Sequence, residues 1–484
     1  MIRFLTAGFV CLIAMSSSSQ AEQVQNVLMI AVDDLGNVFE EPRPAGLKTP
    51  HIDELMSRGV YFQRAYCQIP LCNPSRASVL TGLRPDTTTV WDLDRHFRHQ
   101  LPEVVTLPQL FRQNGYTVAR VGKLYHYDVP RGIGTSGLDD PASWSHVVNP
   151  KGRDVLDEAL ITNPTPHKAV SAAMCWLEAD GTDQEQTDGM IATQAIELMK
   201  AYQQQSFFLG VGFFRPHTPY VAPKSHFEKH PLAQVELKDV PEGDRNDIPT
   251  AAIPHNIPNP NYHLSEQDLQ KSLQAYVASV SLVDAQVGRL LDALDELQLT
   301  ESTMIVFWSD HGYHLGEHHL WQKRTLFDQS ARAPVIIAGA GVSAKGEVSQ
   351  RVVEFIDLYP TVADAVLGEV PKQQQGRSLK PLLSNPHQNW DHPAFTQILR
   401  PYNNARKDGK PVMGASISTE RYRYVEWNAG AEGAELYDLK TDPNEWTNLA
   451  ESPEHQPLRK KLQLQLQQGV ATQPPETPVN PKRL

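Results

Sequence analysis

Cysteine is scarce in this chain: four among 484 residues, at Cys11, Cys67, Cys72 and Cys175. That is too few for a disulfide scaffold, so stability must come from a packed core. Excess positive charge is missing as well. Lys and Arg number 44 against 56 Asp and Glu, a formal net charge of −12, which argues against a cationic surface for nucleic acid or anionic membrane. A small local cationic pocket is compatible with that balance. After Met15 no stretch approaches the ~18 uninterrupted apolar residues of a membrane span, so the mature chain is expected to be soluble. With 40% hydrophobic and 21% charged residues, the composition excludes whole-chain disorder, collagen-like sequence and coiled coil. The length is about three times that of a common single domain, which points to one large domain with a smaller one.

The N-terminus combines Arg3, an apolar run from Phe4 to Met15, serines 16–19, and small residues at Ser19 and Ala21. This is the layout of a secretory signal cleaved after Ala21, so an exported location is expected: periplasmic, secreted or a lysosomal-type compartment. Cleavage would remove Cys11 and leave three cysteines, an odd number for an oxidising compartment. Either one thiol is free or one residue is something other than a thiol. Whether Cys67 and Cys175 pair stays open.

Four near-continuous apolar runs end abruptly in polar or glycine-containing turns. Val24 to Val32 meets Asp33 and Asp34; Tyr116 to Val121 meets Gly122 and Lys123; Phe207 to Phe214 meets Arg215, Pro216 and His217; Met304 to Ser309 meets Asp310 and His311. Such runs are typical of parallel strands covered on both faces. Between them lie helical patterns. The clearest stripe is Leu269, Leu273, Tyr276, Val277, Val280, Val283, Val287, Leu290, Leu291 and Leu294. Thr49 and Pro50 read as the N-cap and first turn of another helix. Alternating strands and helices predict an α/β fold with a large, mostly parallel sheet. Ligands of such sheets bind outside the carboxyl ends of the strands, where Asp33, Asp34, Lys123, His217, Asp310 and His311 all fall. Beyond a polar region near 375–395, three strand-like runs (414–419, 422–427 and 435–439) and a helix over 454–468 predict a small antiparallel sheet with one helix. The expected division is a signal at 1–21, a catalytic domain at 22–385, a C-terminal α+β subdomain at 386–471 and a loose tail at 472–484.

Adjacent carboxylates repel strongly unless a cation sits between them. Asp33, Asp34 and Asp310 with one imidazole, His311, therefore suit a hard divalent cation, Ca²⁺ with Mg²⁺ as the alternative, better than zinc. The strongest local pattern is Cys72-Asn73-Pro74-Ser75-Arg76, continuing through Leu80-Thr81-Gly82. Here the chain resembles the type I sulfatases, whose Cys-x-Pro-Ser-Arg motif directs conversion of the cysteine to Cα-formylglycine. Further landmarks in the family's order are 31–36 (AVDDLG), 49–53 (TPHID), Gly122-Lys123, 309–312 (SDHG) and 435–439 (ELYDL). Within that family the chain looks most like the iduronate-2-sulfatases. Supporting segments are 84–88 (RPDTT), 215–219 (RPHTP), His311 where many relatives have Asn, 315–318 (LGEH) and 413–417 (MGASI). One feature departs: Gly134, Thr135, Ser136 and Gly137 stand where those enzymes place a histidine ahead of the segment that here reads Asp139-Asp140-Pro141.

The resemblance implies an alkaline-phosphatase-like fold and removal of 2-O-sulfate from iduronate-type residues of a sulfated oligosaccharide. It also implies a formylglycine-generating maturation enzyme as partner. The hydrated aldehyde at residue 72 would attack sulfur, and its second hydroxyl would later expel the sulfate, which a serine could not do. Asp33, Asp34, Asp310, His311 and residue 72 would ligate the cation. Arg76 and Lys123 would hold formylglycine and sulfate oxygens, Lys323 a further sulfate oxygen. His126 would be the base that releases sulfate and His217 the acid toward the leaving sugar oxygen. His314, His318 and His319 have no assigned role. The competing readings are a sulfatase for another carbohydrate or an aryl or alkyl ester, a phosphodiesterase or phosphonate hydrolase, and a glycan-binding protein with an unmodified, inactive Cys72.

Overall fold

In β1 (Asn26–Asp33) every residue is buried, because the strand runs between two others with a hydrophobic layer on each face. Its side chains alternate between two cores: Leu28, Ile30 and Val32 enter one, Val27, Met29 and Ala31 the other. The structure is a computed structural model that describes residues 24–254, 259–400 and 411–475. The expected signal segment and tail residues 476–484 lie outside the described residues.

The remaining strands of the large sheet are β2 (Gly59–Phe62), β3 (Thr117–Gly122), β4 (His146–Val148), β5 (Phe207–Pro216), β6 (Thr303–Ser309), β7 (Val335–Gly339) and β8 (Glu347–Ser349). Their order is β8-β2-β7-β6-β1-β5-β3-β4. The sheet is mostly parallel, with β7 antiparallel to both β6 and β2. Helices α1 (Pro50–Ser57), α3 (Thr187–Tyr202) and α4 (Glu266–Glu296) cover one face; α2 (Cys72–Thr81) and α5 (Leu358–Leu367) cover the other. Every member of the predicted α4 stripe is buried.

The helix predicted at Pro50 begins there, but its cap differs from expectation. Thr49 turns its hydroxyl to Asp53 Oδ1 at 3.2 Å. Asp284 of α4 takes its place, accepting from the backbone N–H groups of His51 and Ile52 at 3.1 and 2.8 Å. A tertiary contact thus supplies what a local cap would have given.

The C-terminal sheet has four antiparallel strands in sequential order, one more than the sequence suggested: β9 (Ala394–Arg400), β10 (Val412–Ser418), β11 (Tyr422–Trp427) and β12 (Ala434–Asp438). One face packs under α6 (Gln456–Gly469) through Ile417, Tyr424, Leu462 and Leu466. Val412, Val425, Trp427 and Tyr437 on the opposite face join the core of the large sheet. Cys67 and Cys175 do not pair; both are buried free thiols. Among the described residues no helix is long and apolar enough to cross a membrane.

Candidate active site

Strands β1, β3, β5 and β6 are parallel and adjacent, so their carboxyl ends bring Asp33 and Asp34, Lys123, His217, and Asp310 and His311 to one edge of the sheet. Asp34 has a φ of +64°, the left-handed region that Asp tolerates better than most residues. That turn is held on both sides. The Asp34 N–H donates to Asp310 Oδ1 at 3.1 Å, and the Tyr276 hydroxyl on α4 donates to the Asp34 carbonyl at 3.0 Å while accepting from Gly36 N–H at 2.8 Å.

Cys72 stands at the first residue of α2 and is 1% exposed. Its Sγ lies 3.0 Å from Lys323 Nζ, 3.4 Å from His311 Nε2 and 3.8 Å from Asp34 Oδ1. Lys323 also bonds Asp34, and Lys123 bonds Asp33. Burial pushes the Cys72 thiol up, but Lys323, Lys123 and the imidazoles of His126 and His217 outweigh it, so its pKa falls well below the usual thiol range. Burial likewise raises Asp33, yet Lys123 and Arg76 hold that carboxyl well below its ordinary range. Asp310 is pushed up to about 7 by burial against the pull of His311 and Arg76. Burial lowers His311, and Asp310 beside it more than compensates, raising it to about 9.

Arg76 takes a different place from the one the motif suggests. Its Nε donates to Asp310 Oδ2 at 2.9 Å, Nη2 to Asp33 Oδ1 at 3.0 Å, and Nη1 to the carbonyls of Lys123 and Leu124 at 2.6 and 3.1 Å. With no exposed side-chain surface, it is a clamp beneath the carboxylates rather than a group reaching toward a sulfate. His217 Nε2 is 3.8 Å from Asp34 Oδ2. His126 is 6% exposed, has no hydrogen-bond partner for either ring nitrogen among the described residues, and approaches Asp128 at 3.7 Å. All the site residues expected from sequence therefore converge on one cluster.

Ligand atoms of Asp33, Asp34, Cys72 and His217 lie within 4.8 Å of one another, and so do those of Asp34, Cys72, Asp310 and His311. Three carboxylates and imidazole fit a hard divalent cation, beside the Arg76, Lys123 and Lys323 cations already paired with those carboxylates. Only the thiol is out of character, being a soft donor in a hard set.

The sulfatase family model matches residues 25–368, and the model described as N-sulphoglucosamine sulphohydrolase, C-terminal, matches residues 316–472. The chain belongs to the sulfatase family. A sulfatase of Formosa agariphila is 31% identical over 92% of this chain and 88% of its own. The iduronate 2-sulfatase of Homo sapiens is 31% identical over 91% of this chain and 94% of its own. Among solved structures, a phosphonate monoester hydrolase of Agrobacterium radiobacter superposes with a TM-score of 0.74 at 23% identity, covering 92% of this chain and 96% of that one, and shows the shared fold.

This sulfatase, a hydrolase of sulfate esters, also uses residues that sequence reading passed over. Ser75 donates to the Asp310 carbonyl. Ser309 donates to the His311 carbonyl at 2.9 Å and accepts from Leu35 N–H at 3.1 Å. Ser75 lies inside the cysteine motif and was available as a signal. Tyr276 carried none, since it reads as one more member of the apolar α4 stripe.

Proposed function

We propose that this sulfatase removes 2-O-sulfate from iduronate-type uronic acid residues of sulfated glycans, with Cys72 converted to Cα-formylglycine by a maturation enzyme. The observation that carries the reading is the placement of residue 72, in the first turn of a buried helix, against Asp34, His311 and Lys323. An oxygen-bearing group there would complete a hard ligand set that a thiol does not. The human iduronate 2-sulfatase likeness, with the 84–88 and 215–219 segments, supports the sugar and position. The signal-like N-terminus supports export with cleavage after Ala21, and the order of elements supports a catalytic unit at 22–385 with a smaller one at 386–471.

Asp33, Asp34, Asp310, His311 and residue 72 would hold the cation, Ca²⁺ or Mg²⁺, which when bound draws charge from the sulfuryl oxygens. Formylglycine supplies, as its hydrate, one hydroxyl for attack and a second for release. Lys323, between Asp34 and residue 72, holds a sulfate oxygen. Lys123 and Arg76 keep Asp33 ionised, and Arg76 orients Asp310. His217 Nε2 protonates the departing sugar oxygen, and His126 takes the proton when sulfate is released.

Two measurements test this. Peptide mass spectrometry on protein made with a formylglycine-generating enzyme should find residue 72 without sulfur, two hydrogens lighter and one oxygen heavier. An unmodified cysteine in active protein overturns the mechanism. The purified enzyme should desulfate a 2-O-sulfated uronate disaccharide and leave a 6-O-sulfated glucosamine disaccharide intact; the reverse preference would keep the sulfatase and discard the substrate.

A further inference from the structure

His217 does not follow smoothly from its strand. Along β5 the register with β1 runs Val32 opposite Phe213 and then Asp33 opposite Pro216, so Phe214 and Arg215 are extra residues in a bulge. Their backbone N–H groups are taken from the ladder and must find other partners. Both find one carboxylate: Asp188 Oδ1 accepts from Phe214 N–H and Oδ2 from Arg215 N–H, each at 2.9 Å.

The bulge is then locked from its other side. Arg215 Nη1 donates to the carbonyls of His217 and Pro219 at 3.1 and 2.7 Å, and Nη2 donates to Asp154 Oδ2 at 2.7 Å. Asp154 Oδ1 in turn accepts from the N–H and hydroxyl of Thr187, at 2.9 and 2.6 Å, the residue before Asp188 on α3. Asp154, Asp188 and Arg215 are 3%, 2% and 1% exposed. The two carbonyls gripped by Arg215 bracket Thr218, whose own carbonyl lies 2.5 Å from His217 Nδ1. A carbonyl can only accept, so Nδ1 carries hydrogen and Nε2 is the nitrogen presented to Asp34 and residue 72.

We infer that Asp154, Asp188 and Arg215 are positioning residues for His217: they hold the β5 bulge and the turn after it so that the imidazole points Nε2 into the site. None of the three touches Cys72, Asp33, Asp34, Asp310 or His311 through any hydrogen bond among the described residues. They act through the turn that carries the ring. The inference deepens the reading of His217 as proton donor and rests on it only for the choice of substrates below.

The test uses Arg215→Lys and Asp154→Asn, alone and combined with His217→Ala, with rates normalised to the formylglycine content of residue 72. Two esters are compared: a 2-O-sulfated uronate disaccharide, whose alcohol needs a proton to leave, and 4-nitrophenyl sulfate, whose phenolate does not. Each positioning variant should slow the disaccharide by about tenfold to a hundredfold and the aryl ester by under about threefold. In the His217→Ala background the same replacement should cost less than about twofold, because the ring it positions is gone. Equal slowing of both esters, or full additivity with His217→Ala, overturns the inference. If Arg215→Lys does not fold, Asp154→Asn alone carries the test, since Asn keeps the shape and the Thr187 contacts. Should His217→Ala itself slow both esters alike, the proton-donor reading fails, and additivity alone decides the positioning.

Discussion

The carboxyl edge of the large sheet and the seam beneath the C-terminal sheet both bury ionised side chains completely. At the seam, Arg423 and Glu445 have no exposed side-chain surface and meet at 2.5 Å. Glu445 also accepts the Asp328 N–H at 2.8 Å, Asp328 accepts the Tyr66 hydroxyl at 2.8 Å, and Glu435 accepts from Trp427 and Tyr437 at 2.9 and 3.0 Å. Each carboxylate there has its own donors, and the rings of Phe327 and Tyr437 lie against the Arg423 guanidinium. At the sheet edge, by contrast, Asp33 and Asp34 are consecutive, Asp310 bonds the Asp34 backbone, and a thiol joins them. Burial and ion pairing are common to both regions, so neither marks function. What separates them is the donor set: at the edge, carboxylate, imidazole and thiol atoms lie within 4.8 Å of one another, an arrangement that could hold a cation.

The comparison is broken or sharpened by four experiments. Cys72→Ala should lower turnover by about 10⁴-fold or more while the thermal midpoint stays within a few degrees, since it removes the proposed nucleophile and little packing; retained activity would take residue 72 out of the chemistry. Chelation followed by dialysis should cost about 10²-fold in rate and lower the thermal midpoint, both restored by Ca²⁺ or Mg²⁺, because a cation held only by the folded state stabilises it. An unchanged rate and midpoint would mean that the converging carboxylates need no ion. Arg423→Ala should do the opposite, costing about 3–5 kcal/mol in denaturant unfolding by leaving Glu445 unpaired, with kcat of the folded enzyme within about twofold. A fall in kcat without a loss of stability would make the seam part of the site. Lys323→Ala should have the smallest effect, about tenfold in kcat/KM and mostly through KM, for loss of the one proposed sulfate contact at a partly open position.

Legibility followed the physics of each element. β1, β3, β5 and β6 stood out because doubly covered parallel strands are continuous apolar runs. β2 and β7 are just as apolar but only four and five residues long, too short to separate from their surroundings. β9 was hidden by Thr396 and Gln397, polar residues that are buried because the Thr396 hydroxyl donates to the Cys67 carbonyl and the Gln397 amide to Asp86 and the Ala471 carbonyl. The candidate ligands were legible as polar residues at strand ends, and Cys72 through its motif. Arg76 was legible as important, but its place beneath Asp33 and Asp310 was not, and Asp154, Asp188 and Tyr276 gave no sign at all.

By itself the sequence determined the α/β class, the scarce cysteines and the one motif that singled out residue 72, and the set of acids and bases available to it. These are local properties, written in runs, turns and one short motif. Tertiary structure alone decided which of those groups meet: that β7 reverses, that Asp284 caps α1, that Arg76 faces carboxylates, and that a bulge on β5 turns His217 inward. Such choices depend on contacts between residues distant along the chain, where each donor goes to whichever acceptor the packing leaves within reach.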